Sequence, residues 1–162
     1  MASTTMPVTV FIHGLEGSSQ GAKATFFREK YPAMIVEDYF GDFPARMAKL
    51  ESILAGKNDA VIVGSSLGGL MAVYFACGQP EKIRKLVLLA PALNFLPPDR
   101  YRDRKLDFPV IIYHGSRDDV VPPEPVRKIA AEIFTNLTWR LVEDDHSLHR
   151  TFFALDWDQL LA

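Results

Sequence analysis

The sequence has one cysteine, Cys77, among 162 residues, and no long hydrophobic run. A lone thiol cannot close a disulfide within the chain, so no covalent staple sets the fold, and the reducing cytoplasm is the expected location. The longest nearly continuous apolar stretch, residues 67–77, is far shorter than the roughly 20 residues that cross a bilayer. It belongs in a protein core, and no membrane span is expected. A surplus of positive charge is missing as well. Eighteen Lys and Arg face 20 Asp and Glu, with no basic run, which argues against a surface that tracks nucleic-acid phosphates. Residues 1–7 carry no basic region, and the apolar run behind them, Val8–Ile12, is too short for the core of an export signal. Repeats, low-complexity tracts and linkers are also lacking, so the expectation is a single domain over residues 1–162.

What is present is a chain with 48% hydrophobic residues, long enough to bury roughly 70% of the surface its unfolded form exposes. Short apolar runs alternate with segments of helical period, punctuated by Gly and Pro. The pattern predicts strands at Val8–Ile12, 34–36, 60–64, 85–89, 110–113 and 139–142. It predicts helices at Ala22–Lys30, 44–54, 67–77, 124–134 and 148–161. Strand alternating with helix implies an α/β fold, a three-layer α/β/α sandwich around a mostly parallel sheet of about six strands. In such sheets ligands lie beyond the C-terminal ends of the strands.

The most informative residues follow the predicted strands. The third runs into Gly64-Ser65-Ser66-Leu67-Gly68, a G-x-S-x-G pattern placed between a strand and a helix. Side chains two before and two after the serine would collide with neighbouring elements in so tight a turn. Glycine at both places lets Ser66 hold a strained conformation with its hydroxyl raised above the sheet. Ser65 lacks that pair of glycines. Ser66 also sits at a helix N-terminus, where free amides favour developing negative charge. The plainer alternative is a Gly-rich turn in which Ser66 merely caps the helix.

A serine hydroxyl needs a base to become a nucleophile, and the base needs a group to orient it. His13 and His114 each precede a glycine at a strand end and read as structural rings that bond loop backbone. His146 lies just after the last strand, on a loop expected to open beside Ser66, and is the candidate base; His149, on the surface of the final helix, is the reserve. For the acid, only one of the consecutive carboxylates Asp118 and Asp119 can point inward. Asp118 is favoured, with Asp119 as a solvated or helix-capping neighbour. The order Ser66, Asp118, His146 is nucleophile, acid, base. A metal hydrolase built on Asp144, His146 and His149 lacks a ligand frame and leaves the glycines unexplained. Cys77, inside an apolar helix, reads as an inert core residue.

These residues resemble the α/β-hydrolase superfamily, and most closely the compact bacterial esterases of the YqiA-like group. The resemblance covers nearly the whole chain. It is carried by Phe11-Ile12-His13-Gly14 with Gly17-Ser18-Ser19, by Ile62-Val63-Gly64-Ser65-Ser66-Leu67-Gly68-Gly69, by Leu89-Ala90-Pro91, by His114-Gly115-Ser116-Arg117-Asp118-Asp119-Val120-Val121-Pro122, and by Asp145-His146-Ser147. It implies a minimal α/β-hydrolase fold with Ser66 as nucleophile, Asp118 as acid and His146 as base. The backbone N–H groups of Leu15 and Leu67 would form the oxyanion hole, and no cofactor or metal is implied. The Leu67 amide also follows from its free place in the first helical turn.

Larger relatives carry strands before the one bearing His13-Gly14, so a sheet edge is expected near Met34, and either a monomer or a homodimer is possible. Residues 93–108 leave no room for a large lid. Phe95 and Leu96, with Pro97 and Pro98, are expected to rim the acyl pocket, although packing beneath a loop would suit them equally. The function expected is hydrolysis of small carboxylic esters with short acyl chains. Thioesters and amides on the same residues, or a non-catalytic binding module, are the alternatives.

Overall fold

The computed structural model describes residues 7–162. Six strands, β1 (Val8–Ile12), β2 (Ile35–Val36), β3 (Ala60–Ser65), β4 (Ile83–Leu89), β5 (Val110–Gly115) and β6 (Leu137–Val142), form one sheet in the order β2-β1-β3-β4-β5-β6. Every neighbouring pair is parallel. A parallel strand buried on both faces needs apolar side chains at consecutive positions rather than at alternate ones. The runs in β3 and β4 supply them.

The pleat divides each run between two cores. Val10, Ile12, Ile62, Leu86, Leu88 and Ile112 face one layer, and Phe11, Val63, Val87 and Leu89 face the other. The first layer consists of α2 (Phe43–Leu54), α3 (Leu67–Gly78) and α5 (Pro123–Ile133). The second consists of α1 (Ala22–Lys30) and the C-terminal helices α6 (His149–Ala154) and α7 (Trp157–Leu160). Phe27, Phe152 and Trp157 close that second core, with ring centroids 4.8–5.3 Å apart. The result is the three-layer sandwich anticipated, with a sheet wholly parallel rather than mostly so.

Local chemistry explains the boundaries. Asp42 caps α2 by accepting a hydrogen bond from the Ala45 amide, and Pro44 occupies the first turn, where a missing N–H costs nothing. The final helix expected over 148–161 is instead two short helices. Leu155 leaves the helical conformation, and Asp156 caps α7 through the Gln159 amide. β4 and β6 each begin two residues earlier than expected: Ile83 pairs with Ala60, and Leu137 and Thr138 with Val110 and Ile111, so polar Arg84 and Thr138 are carried into strands by apolar residues that precede them. Residues 93–108 hold a 3₁₀ turn (Leu93–Phe95) and the one-turn helix α4 (Pro98–Tyr101), and no large lid. Among the described residues no helix is long and apolar enough to cross a membrane.

The sheet order places β3 directly beside β1, while the helices that follow these two strands pack on opposite faces. Chains that depart in opposite directions from adjacent strand ends leave a crevice between them. The loop after β1 and the turn after β3 form its walls.

Candidate active site

Ser66 occupies the junction of β3 and α3 with φ 55° and ψ −114°, a conformation sparsely populated by residues with a side chain. The surroundings hold it there. Its amide donates to the Leu89 carbonyl at 2.9 Å, and its carbonyl accepts from Gly69, Leu70 and Ala92. The flanking glycines are required by space. A Cβ on Gly64 would stand 2.5 Å from the Gly68 carbonyl oxygen, and one on Gly68 would stand 2.1 Å from the Ile12 oxygen of β1. Neither glycine has positive φ, so the strain resides on the serine itself.

The Ser66 hydroxyl does not cap α3. It donates instead to His146 Nε2 at 3.0 Å, and His146 Nδ1 donates to Asp118 Oδ2 at 2.7 Å. Three side chains spread over 80 residues of sequence are thereby joined in one line. Asp118 comes from the turn after β5, its other oxygen accepting the amides of Val120 and Val121 at 2.9 and 2.8 Å. His146 comes from the loop after β6. That loop can approach because Gly115 ends β5: a Cβ there would lie 2.5 Å from the Asp144 oxygen.

Asp144 orders the same loop, one carboxylate oxygen accepting from the Asp145 amide and the other from the Thr151 amide and hydroxyl. Burial works against its ionised form, yet these bonds hold its pKa below the ordinary carboxylate value. From α1, Lys23 donates to the Ser147 carbonyl at 2.6 Å and braces the loop from the opposite side. Partial burial lowers its pKa, against the pull of Asp144 and Asp145.

The remaining candidates lie elsewhere or are otherwise engaged. His13 accepts the Tyr39 amide on Nε2 and donates from Nδ1 to the Gly14 carbonyl. Buried His114 donates from Nε2 to the Val121 carbonyl. Asp119 is exposed and caps no helix. His149 is exposed and edges onto the Phe153 ring. With Asp144 committed to Thr151 and His146 to Asp118, the grouping of Asp144, His146 and His149 is not a metal site. Among the described residues no cluster of three or more His, Cys, Asp or Glu could hold an ion. Cys77 is buried, and burial raises the pKa of its thiol.

A cavity of about 690 Å³ opens over Ser66, lined by both sides of the crevice, including Leu15, Leu67, Phe95, Val120 and His146. Leu67 is the first residue of α3, so its amide has no carbonyl one turn back to bond. Gly14 lies against the serine: a Cβ on it would meet Ser66 Cβ at 3.2 Å and Oγ at 3.9 Å, which brings the following Leu15 peptide to the rim of the same space.

The expectation for the pocket rim needs correction. Phe95 is 70% exposed and lines the cavity, whereas Leu96 is 3% exposed and belongs to the α2, α3 and α5 core. The 3₁₀ turn is the reason. Residues three apart share a face, so Leu96 follows Leu93 inward while Phe95 points out. Leu96→Ala should therefore cost about 2–5 kcal/mol of stability in chemical denaturation. Phe95→Ala, at an exposed side chain, should leave stability within about 0.5 kcal/mol in the same measurement.

Sequence reasoning missed Lys23 as a brace, Val120 and Phe11 as pocket walls, and a second contact on Asp118 described below. Nothing in sequence spacing pairs Lys23 with Ser147, 124 residues away.

A model described as the alpha/beta hydrolase fold matches residues 17–105, more than half of the chain. The chain belongs to the alpha/beta hydrolase family. Solved structures of this fold superpose on nearly its whole length. The alpha/beta hydrolase domain-containing protein 10 from mouse gives a TM-score of 0.76 at 22% identity, covering 96% of this chain and 90% of the other. Est1E from Butyrivibrio proteoclasticus gives 0.73 at 18%, covering 95% and 87%. The monoacylglycerol lipase from Paleococcus ferrophilus gives 0.70 at 18%, covering 94% and 93%. At these identities the likeness establishes the α/β-hydrolase fold.

Among curated proteins, the homoserine O-succinyltransferase of Ectopseudomonas mendocina is 30% identical over 82 residues, which is 49% of this chain and 21% of that protein. A homoserine O-acetyltransferase of Thermus thermophilus is 49% identical over 35 residues, which is 22% of this chain and 9% of that protein. The chain thus spans about a fifth or less of the length of these relatives.

Proposed function

We propose that this α/β hydrolase, acting as one domain over residues 1–162, is a serine esterase that cleaves small carboxylic esters with short acyl chains. One observation carries the reading: the Ser66 hydroxyl, excused from capping its helix, is 3.0 Å from an imidazole whose other nitrogen is 2.7 Å from a buried carboxylate. In the first step His146 takes the Ser66 proton as the oxygen attacks the ester carbonyl. The Leu15 and Leu67 amides stabilise the oxyanion. His146 then protonates the departing alcohol, leaving an acyl-serine, and water with His146 as base releases the acid. Asp118 holds the imidazole in the tautomer that presents a bare Nε2 to the serine and stabilises the imidazolium that forms. The chemistry calls on no metal or organic cofactor.

The absence of a large lid and the apolar wall formed by Leu15, Phe95 and Val120 support a small ester substrate. The resemblance to small bacterial esterases points the same way. An acyl-serine can also be discharged to an acceptor other than water, and the local matches to homoserine acyltransferases make homoserine the relevant acceptor to include.

The test combines a fluorophosphonate probe with a substrate panel. Mass spectrometry should find the probe on the peptide containing Ser66. p-Nitrophenyl acetate and butyrate should turn over faster than long-chain esters, acyl-CoA or peptides. An unlabelled serine would leave only a binding module, and turnover of acyl-CoA in preference to both esters would overturn the ester assignment. Acceleration by homoserine would redirect the reading to acyl transfer.

A further inference from the structure

Two histidines, not one, approach the Asp118 carboxylate. His146 Nδ1 is 2.7 Å from Oδ2, and His114 Nε2 is 3.2 Å from the same oxygen, with both the His114 and the Asp118 side chains fully buried. His114 Nε2 also donates to the Val121 carbonyl at 2.9 Å, so the proton is on Nε2. Its Nδ1 is buried without a partner, the place of a bare ring nitrogen. The indole of Trp139, on edge strand β6, stacks on the ring at 5.7 Å with 22° between the planes. Burial lowers the pKa of His114, against the opposing effect of Val121 and Asp118, and keeps the ring neutral.

We infer that His114 is a positioning residue for acyl transfer: stacked on Trp139, it donates its N–H to the Val121 carbonyl and keeps that nitrogen 3.2 Å from Asp118 Oδ2, holding the carboxylate and its turn in register with His146. The inference rests on the esterase reading for its kinetic arm. Its physical content is that the two imidazoles divide the labour on one carboxylate. The one sealed in the core stays uncharged and orients, while the one at the cavity carries the proton. Other charged groups around His146 are Lys23 and Glu16 on the cavity wall and Asp144 and Asp145 on its own loop, and the variants below leave all of them in place.

The His114 ring steadies the turn and the carboxylate that receives the His146 Nδ1–H, so losing it should loosen that bond. In His114→Leu, the downfield proton resonance of the His146 Nδ1–H in the resting protein should shift or broaden. kcat for p-nitrophenyl acetate should fall by up to about 100-fold as the base loses register, with KM within about twofold. His114→Gln carries an N–H near the position of Nε2 and should recover most of kcat and the wild-type resonance. His114→Asn places its N–H near Nδ1 and should not, and this contrast decides the matter even if the leucine variant fails to fold. Equal behaviour of the Gln and Asn variants, or a wild-type resonance and kcat in a folded His114→Leu, would overturn the inference. Wild-type protein inert to fluorophosphonate would refute the esterase reading instead, and the resonance would still judge the role of His114.

Discussion

Ser66→Ala should abolish fluorophosphonate labelling and lower kcat on p-nitrophenyl acetate by on the order of 10⁶-fold. His146→Ala should fall about as far, and the double variant no further, because on the proposed mechanism nucleophile and base act as one unit whose loss is counted once. Asp118→Asn should lower kcat by about 10⁴-fold with the fold intact, since an amide in place of Oδ2 presents an N–H to His146 and favours the wrong tautomer. His149→Ala is the internal control. That ring is exposed and in contact with Phe153, away from the hydrogen-bonded line of Ser66, His146 and Asp118, so activity should stay within about twofold of wild type. A His149→Ala loss larger than that of His146→Ala would show that the base has been assigned to the wrong ring. Steady-state kinetics on the five variants, with labelling as the substrate-independent readout, covers each case.

Gly68→Ala should be the most damaging of the glycine-to-alanine substitutions. The new Cβ would stand 2.1 Å from the Ile12 oxygen and 2.7 Å from the His13 oxygen, both backbone atoms at the end of β1. A flexible side chain could swing aside, but a central strand paired on both edges cannot. The expected loss is about 3 kcal/mol or more, a fall in Tm of roughly 6–12 °C for a chain this size. Activity should fall further than stability explains. The same collision pushes Gly14 and Leu15 away from Ser66 and, on the proposed mechanism, separates the two amides of the oxyanion hole. Calorimetry and kinetics at a temperature where the variant remains folded will separate these effects. A Gly68→Ala protein with wild-type Tm would mean that the turn is looser than its geometry implies.

Much of the site can be read in the chain because its constraints are local. The glycines around Ser66 are demanded by a turn of five residues, and their spacing is visible without a fold. Asp118 follows a run of strand-forming residues and precedes Val-Val-Pro, so its place at a strand end is equally local. The rim could not be read this way. Phe95 and Leu96 are adjacent and similarly apolar, and what separates them is the three-residue period of a 3₁₀ turn that docks Leu93 into the core. The break in the last helical segment has a related cause. The segment from 148 to 161 has helical character throughout, but Asp156 offers the Gln159 amide a better partner than the helix could, and the chain breaks there.

Sequence alone determined the alternation of strand and helix, the parallel sheet that follows from it, and the identity of the strained serine, since each depends on residues within a turn or two of one another. Tertiary structure decided which histidine reaches that serine, that a second histidine shares its carboxylate, and which face of residues 93–96 meets the cavity. Those outcomes depend on strand order and on the opposite departure of helices from β1 and β3. Such packing sums many weak contacts between segments far apart in the chain, and no short window of sequence contains it.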